Sequence, residues 1–134
     1  MKPHNLLLLF LSFFITCTLV SAQQEAAIWY FGENAGLDFN SGAPVALTDG
    51  RLSTIEGCSS MSDANGNLLF YTDGRNVWNR NHDIMPNGFG LRGDRSSSQS
   101  AIVVPLPENP NLFYVFTVDD EGKEDGLQSV SYTH

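Results

Sequence analysis

The chain has 134 residues, 15 of them acidic and 7 basic, for a net charge of −8 with neutral histidines. That balance excludes the basic patch a nucleic-acid partner requires and disfavours electrostatic attachment to anionic lipid. Only two cysteines are present, too few for a disulfide framework or a cysteine-based zinc site.

The first predicted element is not part of the fold. Lys2 and His4 precede an apolar run from Leu6 to Ile15, and Val20-Ser21-Ala22 places small residues before a cut. This is the order of a secretory signal peptide, residues 1–22. The run is shorter than the ~20 apolar residues of a membrane span. The charge order disfavours the rival reading, a buried N-terminal helix. A lipid anchor on Cys17 is disfavoured by Thr16, which stands where a smaller residue is expected. Cleavage after Ala22 leaves residues 23–134 with no transmembrane segment, and losing Lys2 takes the charge from −8 to −9. Such acidity favours solubility outside the cell. Cys17 leaves with the leader, so Cys58 stands alone and reads as a buried small apolar residue.

Beyond the leader, no stretch carries helical periodicity over three turns. Short apolar runs predict strands at Ala27–Phe31, Ala35–Phe39, Val45–Leu47, Cys58–Ser62, Leu68–Thr72, Val77–Arg80, Ala101–Pro105, Leu112–Val118 and Gln128–Tyr132. Turn signals separate them: Asn40-Ser41-Gly42, Asp49-Gly50, Asn65-Gly66, Asp73-Gly74, Asn87-Gly88 and Pro107-Glu108-Asn109-Pro110. The pattern predicts an all-β fold of antiparallel meanders. Asn65-Gly66 predicts a tight hairpin, because both residues tolerate positive φ. Leu68 to Tyr71 is apolar without alternation, so this strand is expected to bury both faces between stacked sheets.

"GNLLFYTDG" at 66–74 is echoed by "PNLFYVFTVDD" at 110–120, with Asn67 and Asn111 44 residues apart. Each block follows a serine-containing strand. A meander repeating at about 45 residues is the signature of propeller blades. A closed ring of four to eight blades needs ~180 to 360 residues. Residues 23–134 are therefore expected to hold the first two to three blades of a β-propeller that is incomplete at the C-terminus.

Motifs of chemistry are sparse. Asp63-Ala64-Asn65-Gly66-Asn67 departs from a calcium loop, which needs Gly at the sixth position and Glu at the twelfth. Asp63 is instead expected to cap the turn with its carboxylate. An Asp-box is not supported, because Met61 stands at the Ser position and Gly66 falls one place late. "DDEGKED", residues 119–125, reads as a solvated loop rather than a cation site. "SSSQS", residues 96–100, reads as a polar approach to a strand.

His82 is the only histidine inside the mature chain apart from its last residue, and no Gly-x-Ser-x-Gly elbow activates a serine. Asp73 reads as a turn residue. Carboxylate pairs of the glycosidase kind are spaced in three dimensions and leave no sequence signature. No catalytic, cofactor or metal residue is assigned. The residues expected to face a ligand are Arg75, Trp78, Arg80, His82 and Gln99, with blade packing the stronger reading for Trp78.

Three blocks, "IWYFGENAGLDFNSGAPVAL", "EGCSSMSDANGNLLFYTDGRNVWNRNHDIM" and "SSSQSAIVVPLP…NLFYVFTVD", carry a resemblance. From about Ile28 to its last residue, the chain resembles the N-terminal propeller-like region of large secreted gliding-motility-associated proteins with a C-terminal type IX (type B) sorting domain. The resemblance implies a secreted or outer-surface protein built on a propeller, and it supplies no catalytic residues. The expected function is a non-enzymatic module for adhesion, with extracellular polysaccharide or surface proteins as partners. The alternative is a fragment of a secreted hydrolase with carboxylates meeting in the channel.

Overall fold

The computed structural model describes residues 24–133. The expected leader, residues 1–22, lies outside them. Ten strands form three antiparallel sheets. Sheet 1 holds β1 (Ile28–Phe31), β2 (Ala35–Asp38) and β3 (Val45–Leu47). Sheet 2 holds β4 (Ser59–Ser62), β5 (Leu68–Thr72), β6 (Asn76–Asn79) and β7 (Ile84–Phe89). Sheet 3 holds β8 (Ala101–Leu106), β9 (Asn109–Val118) and β10 (Leu127–Thr133). In each sheet, strands consecutive in sequence are neighbours, so all three are meanders. The all-β class holds, and each of the nine predicted strands has its counterpart.

β7 has no counterpart among the predicted strands. Asn87-Gly88, read from sequence as a turn, lies inside it. Asn87 takes φ +57 there, and pairing with β6 slips between Asn76 and Trp78. Gly88 is buried, and any side chain on it would meet the Val77 carbonyl. Pro86 lacks an N–H, which an edge strand such as β7 tolerates. The Pro107–Pro110 signal also shrinks. Leu106 pairs with Asn109, so only Pro107 and Glu108 form the turn, with Glu108 at φ +68.

The β4–β5 hairpin forms where expected but not by two left-handed residues. Gly66 alone holds positive φ, +83, while its N–H donates to Asp63 O at 2.9 Å. This is the three-residue loop with a left-handed glycine and a bulge. The Asp63 carboxylate accepts from Asn65 N, Asn67 N and Asn67 Nδ2 at 2.8–2.9 Å, the expected cap. Those bonds, the Asn67 side chain's first, hold its carboxyl below the usual range.

All five residues of β5 are buried, as its unbroken apolar run predicted. Met61 pairs with Phe70 and Ser62 with Leu68, so Leu69 is the extra residue of a bulge. Leu68 and Tyr71 therefore turn to sheet 1, and Leu69 and Phe70 to sheet 3. Between sheets 1 and 2 lie Tyr30, Leu52, Leu68, Tyr71 and Trp78, with half-buried Cys58 against them. Burial pushes the Cys58 thiol up. Between sheets 2 and 3 lie Leu69, Phe70, Val77, Met85, Ala101, Phe113, Val115 and Tyr132.

The echo in the sequence occupies matching positions. Thr72 pairs with Ser59 at the start of β4, and Thr117 with Ala101 at the start of β8. Both blocks are the second strands of their sheets. The two outer faces of the stack are apolar: Ile102, Val104, Tyr114, Val118 and Leu127 are exposed on sheet 3, Trp29 and Phe31 on sheet 1.

Candidate functional site

The five residues expected to face a ligand do not come together. Arg75 and Gln99 sit at the end of the stack where β4 and β8 begin. Arg80 and His82 sit at the opposite end, beyond β6. Trp78 is buried between sheets 1 and 2.

The first of these ends is the better candidate. Three loops converge there: 48–58 before β4, 73–75 between β5 and β6, and 90–100 before β8. Their knot is Ser100, whose hydroxyl donates to Asp73 O at 2.7 Å. Gly57, Gly74 and Gly93 all press on Ser100, and a Cβ at any of them would overlap its atoms. Gly74 also holds φ +84, which any other residue would adopt only with strain. Gly57 N donates to Ser97 O at 3.0 Å, and Gly93 N to Gly74 O at 2.9 Å.

On this knot stands one held cation. Asp73 is buried; one carboxylate oxygen accepts from Arg75 N and Asn76 N at 2.9 and 2.8 Å. Its other oxygen pairs with the Arg75 guanidinium at 3.0 Å. The guanidinium also donates to Ser53 O at 3.3 Å and keeps 39% of its side chain in solvent. On the other two loops of the knot, Ser98 Oγ donates to Glu56 at 2.7 Å, and exposed Gln99 bonds the Ala101 carbonyl at 2.9 Å. Ile55 is 64% exposed on the same rim. A fixed guanidinium, a carboxylate, an amide and an apolar contact make a surface suited to hydroxyl-rich or peptide ligands.

Of the residues on this rim, the sequence reading singled out Arg75 and Gln99, and it named neither Glu56 nor the anchoring role of Asp73. The Asp73-Gly74-Arg75 spacing was a turn signal, and only burial of Asp73 turns it into an anchor.

The opposite group is bonded inward. Trp78 stacks on Tyr71 with ring centres 5.5 Å apart, and Tyr30 stacks on Tyr71 at 4.4 Å. Tyr71 OH meets His82 Nδ1 at 3.0 Å and accepts from Arg51 N at 3.1 Å. Because Nε2 faces a carboxylate, a neutral imidazole carries its proton there and Nδ1 accepts from Tyr71 OH. Nε2 faces Asp49 at 3.3 Å, whose other oxygen accepts from Tyr30 OH at 2.8 Å. The Tyr30 hydrogen bond is the largest cause holding the Asp49 carboxyl low. Burial first, and Asp49 second, push the Tyr30 phenol far up. His82 and Trp78 thus fasten loop 48–58 to sheet 2. Arg80 is exposed and borders a cleft with Asp63, Asn65, Pro105 and Asn111.

In the Asp119–Asp125 loop, Asp119 caps the turn Asp120–Gly122, Lys123 Nζ pairs with Asp120 at 3.0 Å, and Asp125 pairs with Arg92 at 3.3 Å. No protein-family model, no curated protein and no solved structure matches this chain.

Proposed function

We propose that the three sheets are successive blades of a β-propeller and that the chain is a non-enzymatic binding module exported to the cell surface or beyond. One observation carries the blade reading. β4 and β8, the first strands of successive meanders, are neighbours and run the same way: they begin side by side at Gly57 and Ser100, and Met61 at the end of β4 and Pro105 at the end of β8 line one cleft. Blades arranged round an axis put their first strands in that relation. The apolar outer faces of sheets 1 and 3 support it further, since a blade packs against a neighbour on each side.

The signal-peptide pattern of residues 1–22 supports export. The resemblance carried by the "IWYFGENAGLDF" opening supports an outer-surface setting. The rim around Arg75 is the binding surface in this reading, with extracellular polysaccharide or surface protein as its partner. Loops at one end of a rigid stack vary freely and carry recognition.

Glycan and matrix-protein arrays probed with the purified chain test this. Binding is expected, and Arg75→Gln is expected to weaken it ~10-fold, the usual scale for a central arginine contact. Unchanged circular dichroism in that variant separates lost contact from lost fold. Turnover of a glycan or ester that disappears in Glu56→Gln overturns the non-enzymatic reading. Silence on both arrays overturns the binding module and leaves a scaffold.

A further inference from the structure

The end of the stack opposite the Arg75 rim holds a cleft of about 490 Å³ between sheets 2 and 3. Its floor is the mouth of the apolar layer, where Met61, Leu69 and Phe113 close the core. Its walls are the turn that follows β4, the turn region between β8 and β9, and Arg80 beyond the end of β6. The volume falls in the range of small-ligand sites, ~300–1,000 Å³.

A bulge shapes each of the two hairpins. Leu69 is the extra residue on β5. In sheet 3, Pro105 pairs with Phe113 but Leu106 with Asn109, so residues 110–112 have no partner on β8. Bulges re-aim side chains and recur beside functional sites. Here both border one cleft, and the sheet 3 bulge brings Pro110 and Asn111 to it.

The walls are fixed in the free protein. One Asp63 oxygen accepts from Asn65 N and Asn67 N, and the other from Asn67 Nδ2. Asn111 N donates to Asn109 Oδ1 at 3.2 Å. Pro105 and Pro110, both exposed, have φ set by their rings. Among the described residues, no internal hydrogen bond engages the side-chain amide of Asn65 or of Asn111. Each amide therefore offers a donor and an acceptor to a ligand.

Charge narrows the ligand. Glu25 and Asp63 outnumber Arg80 in the lining, so an anion would meet two carboxylates and one guanidinium. A cation gains little from Asp63, which its own turn and Arg80 already counter. The groups left to a ligand are planar donor–acceptor amides beside exposed prolines. Vicinal hydroxyls of a sugar ring match the first, and the ring's C–H face matches the second.

We propose that this cleft binds a neutral saccharide, with Asn65 and Asn111 as its hydroxyl-reading groups and Pro105 and Pro110 as its apolar contact. It is a second site, separate from the Arg75 rim, and it does not depend on the blade reading.

The test titrates the isotope-labelled purified chain with maltose, cellobiose, lactose and N,N′-diacetylchitobiose and follows backbone amide shifts. The expected result, with at least one of these sugars, is saturable shifts at Asn65, Asn67 and Asn111 and a dissociation constant of ~1–10 mM. Asn65→Ala and Asn111→Ala should each weaken that binding ~5–10-fold. Amides away from the cleft should keep their positions in both variants, which separates a lost contact from a lost fold. Glucuronic acid at the same concentrations should shift none of these amides. No saturable shift with any of these sugars overturns the inference. So do shifts centred on Gly74, Arg75 and Gln99, unchanged affinity in both alanine variants, or a preference for glucuronic acid. The rim is tested by Arg75→Gln on arrays, so failure of the rim and failure of the cleft are separate results.

Discussion

The two layers between the sheets are built on different physics. The layer between sheets 2 and 3 is apolar, with Phe70 and Phe113 edge to face, Val77, Ala101 and Val115 sealed from solvent, and one phenol, Tyr132, donating to Asn87 O at 2.8 Å. The layer between sheets 1 and 2 is a column of Tyr30, Tyr71 and Trp78 whose phenols reach out to His82, Asp49 and the Arg51 backbone. The first is held by volume and the second by volume plus a hydrogen-bonded end. The difference teaches that stability against truncation and stability against pH reside in separate halves of one stack.

Phe70→Ala should show the largest effect. It leaves a cavity in the apolar layer and is expected to cost ~3–5 kcal/mol, read from the urea midpoint at unchanged slope. Tyr71→Phe keeps the ring and removes only the hydroxyl. It leaves Arg51 N and His82 Nδ1 without their partner and is expected to cost ~1–2 kcal/mol. Equal losses in the two variants would erase the distinction between the layers.

Alkali should strike the polar layer. Burial raises the Tyr30 and Tyr71 phenols above their ordinary value. A raised folded pKa gives stability that is full below the unfolded value, ~10, and is lost as pH rises toward the folded one. The melting temperature should fall above that pH, and Tyr30→Phe should blunt the fall. Tyr132, raised by burial in the other layer, remains as a background in both proteins.

The smallest effect is on the acid side. The Asp49 carboxyl is lowered by Tyr30, so its contribution is present above ~pH 4 and fades as pH falls toward the lower folded value. Asp49 is 58% exposed, so screening keeps that contribution slight. Asp49→Asn should lower the melting temperature slightly at neutral pH and flatten its fall between pH 5 and 3. A wild-type curve already flat there would remove Asp49 from the account.

Local chemistry made much of this legible in the sequence. The unalternating run Leu68–Tyr71 marks a strand covered twice, and Asp63 before Asn65-Gly66 marks its own turn. β7 was hidden because Pro86 and Asn87-Gly88 are breakers everywhere except at an edge with a bulge. The rim was half hidden for a different reason. Glu56, Arg75 and Gln99 are brought together by three glycines closing on Ser100, and glycine spacing carries no record of which loops meet.

β5 also sets a condition on how the molecule comes into being. Its five residues have no face that water can keep. Emerging in chain order, this segment pairs locally with β4 and β6 within microseconds, yet stays sticky on the sheet 3 side until β8 and β9 arrive. Asp63 and Asp73 bracket the run at either end, in the positions where charges act as gatekeepers against strand-to-strand aggregation. The acids that shape the turn and anchor the rim in the finished protein thus guard the most vulnerable stretch of the nascent one.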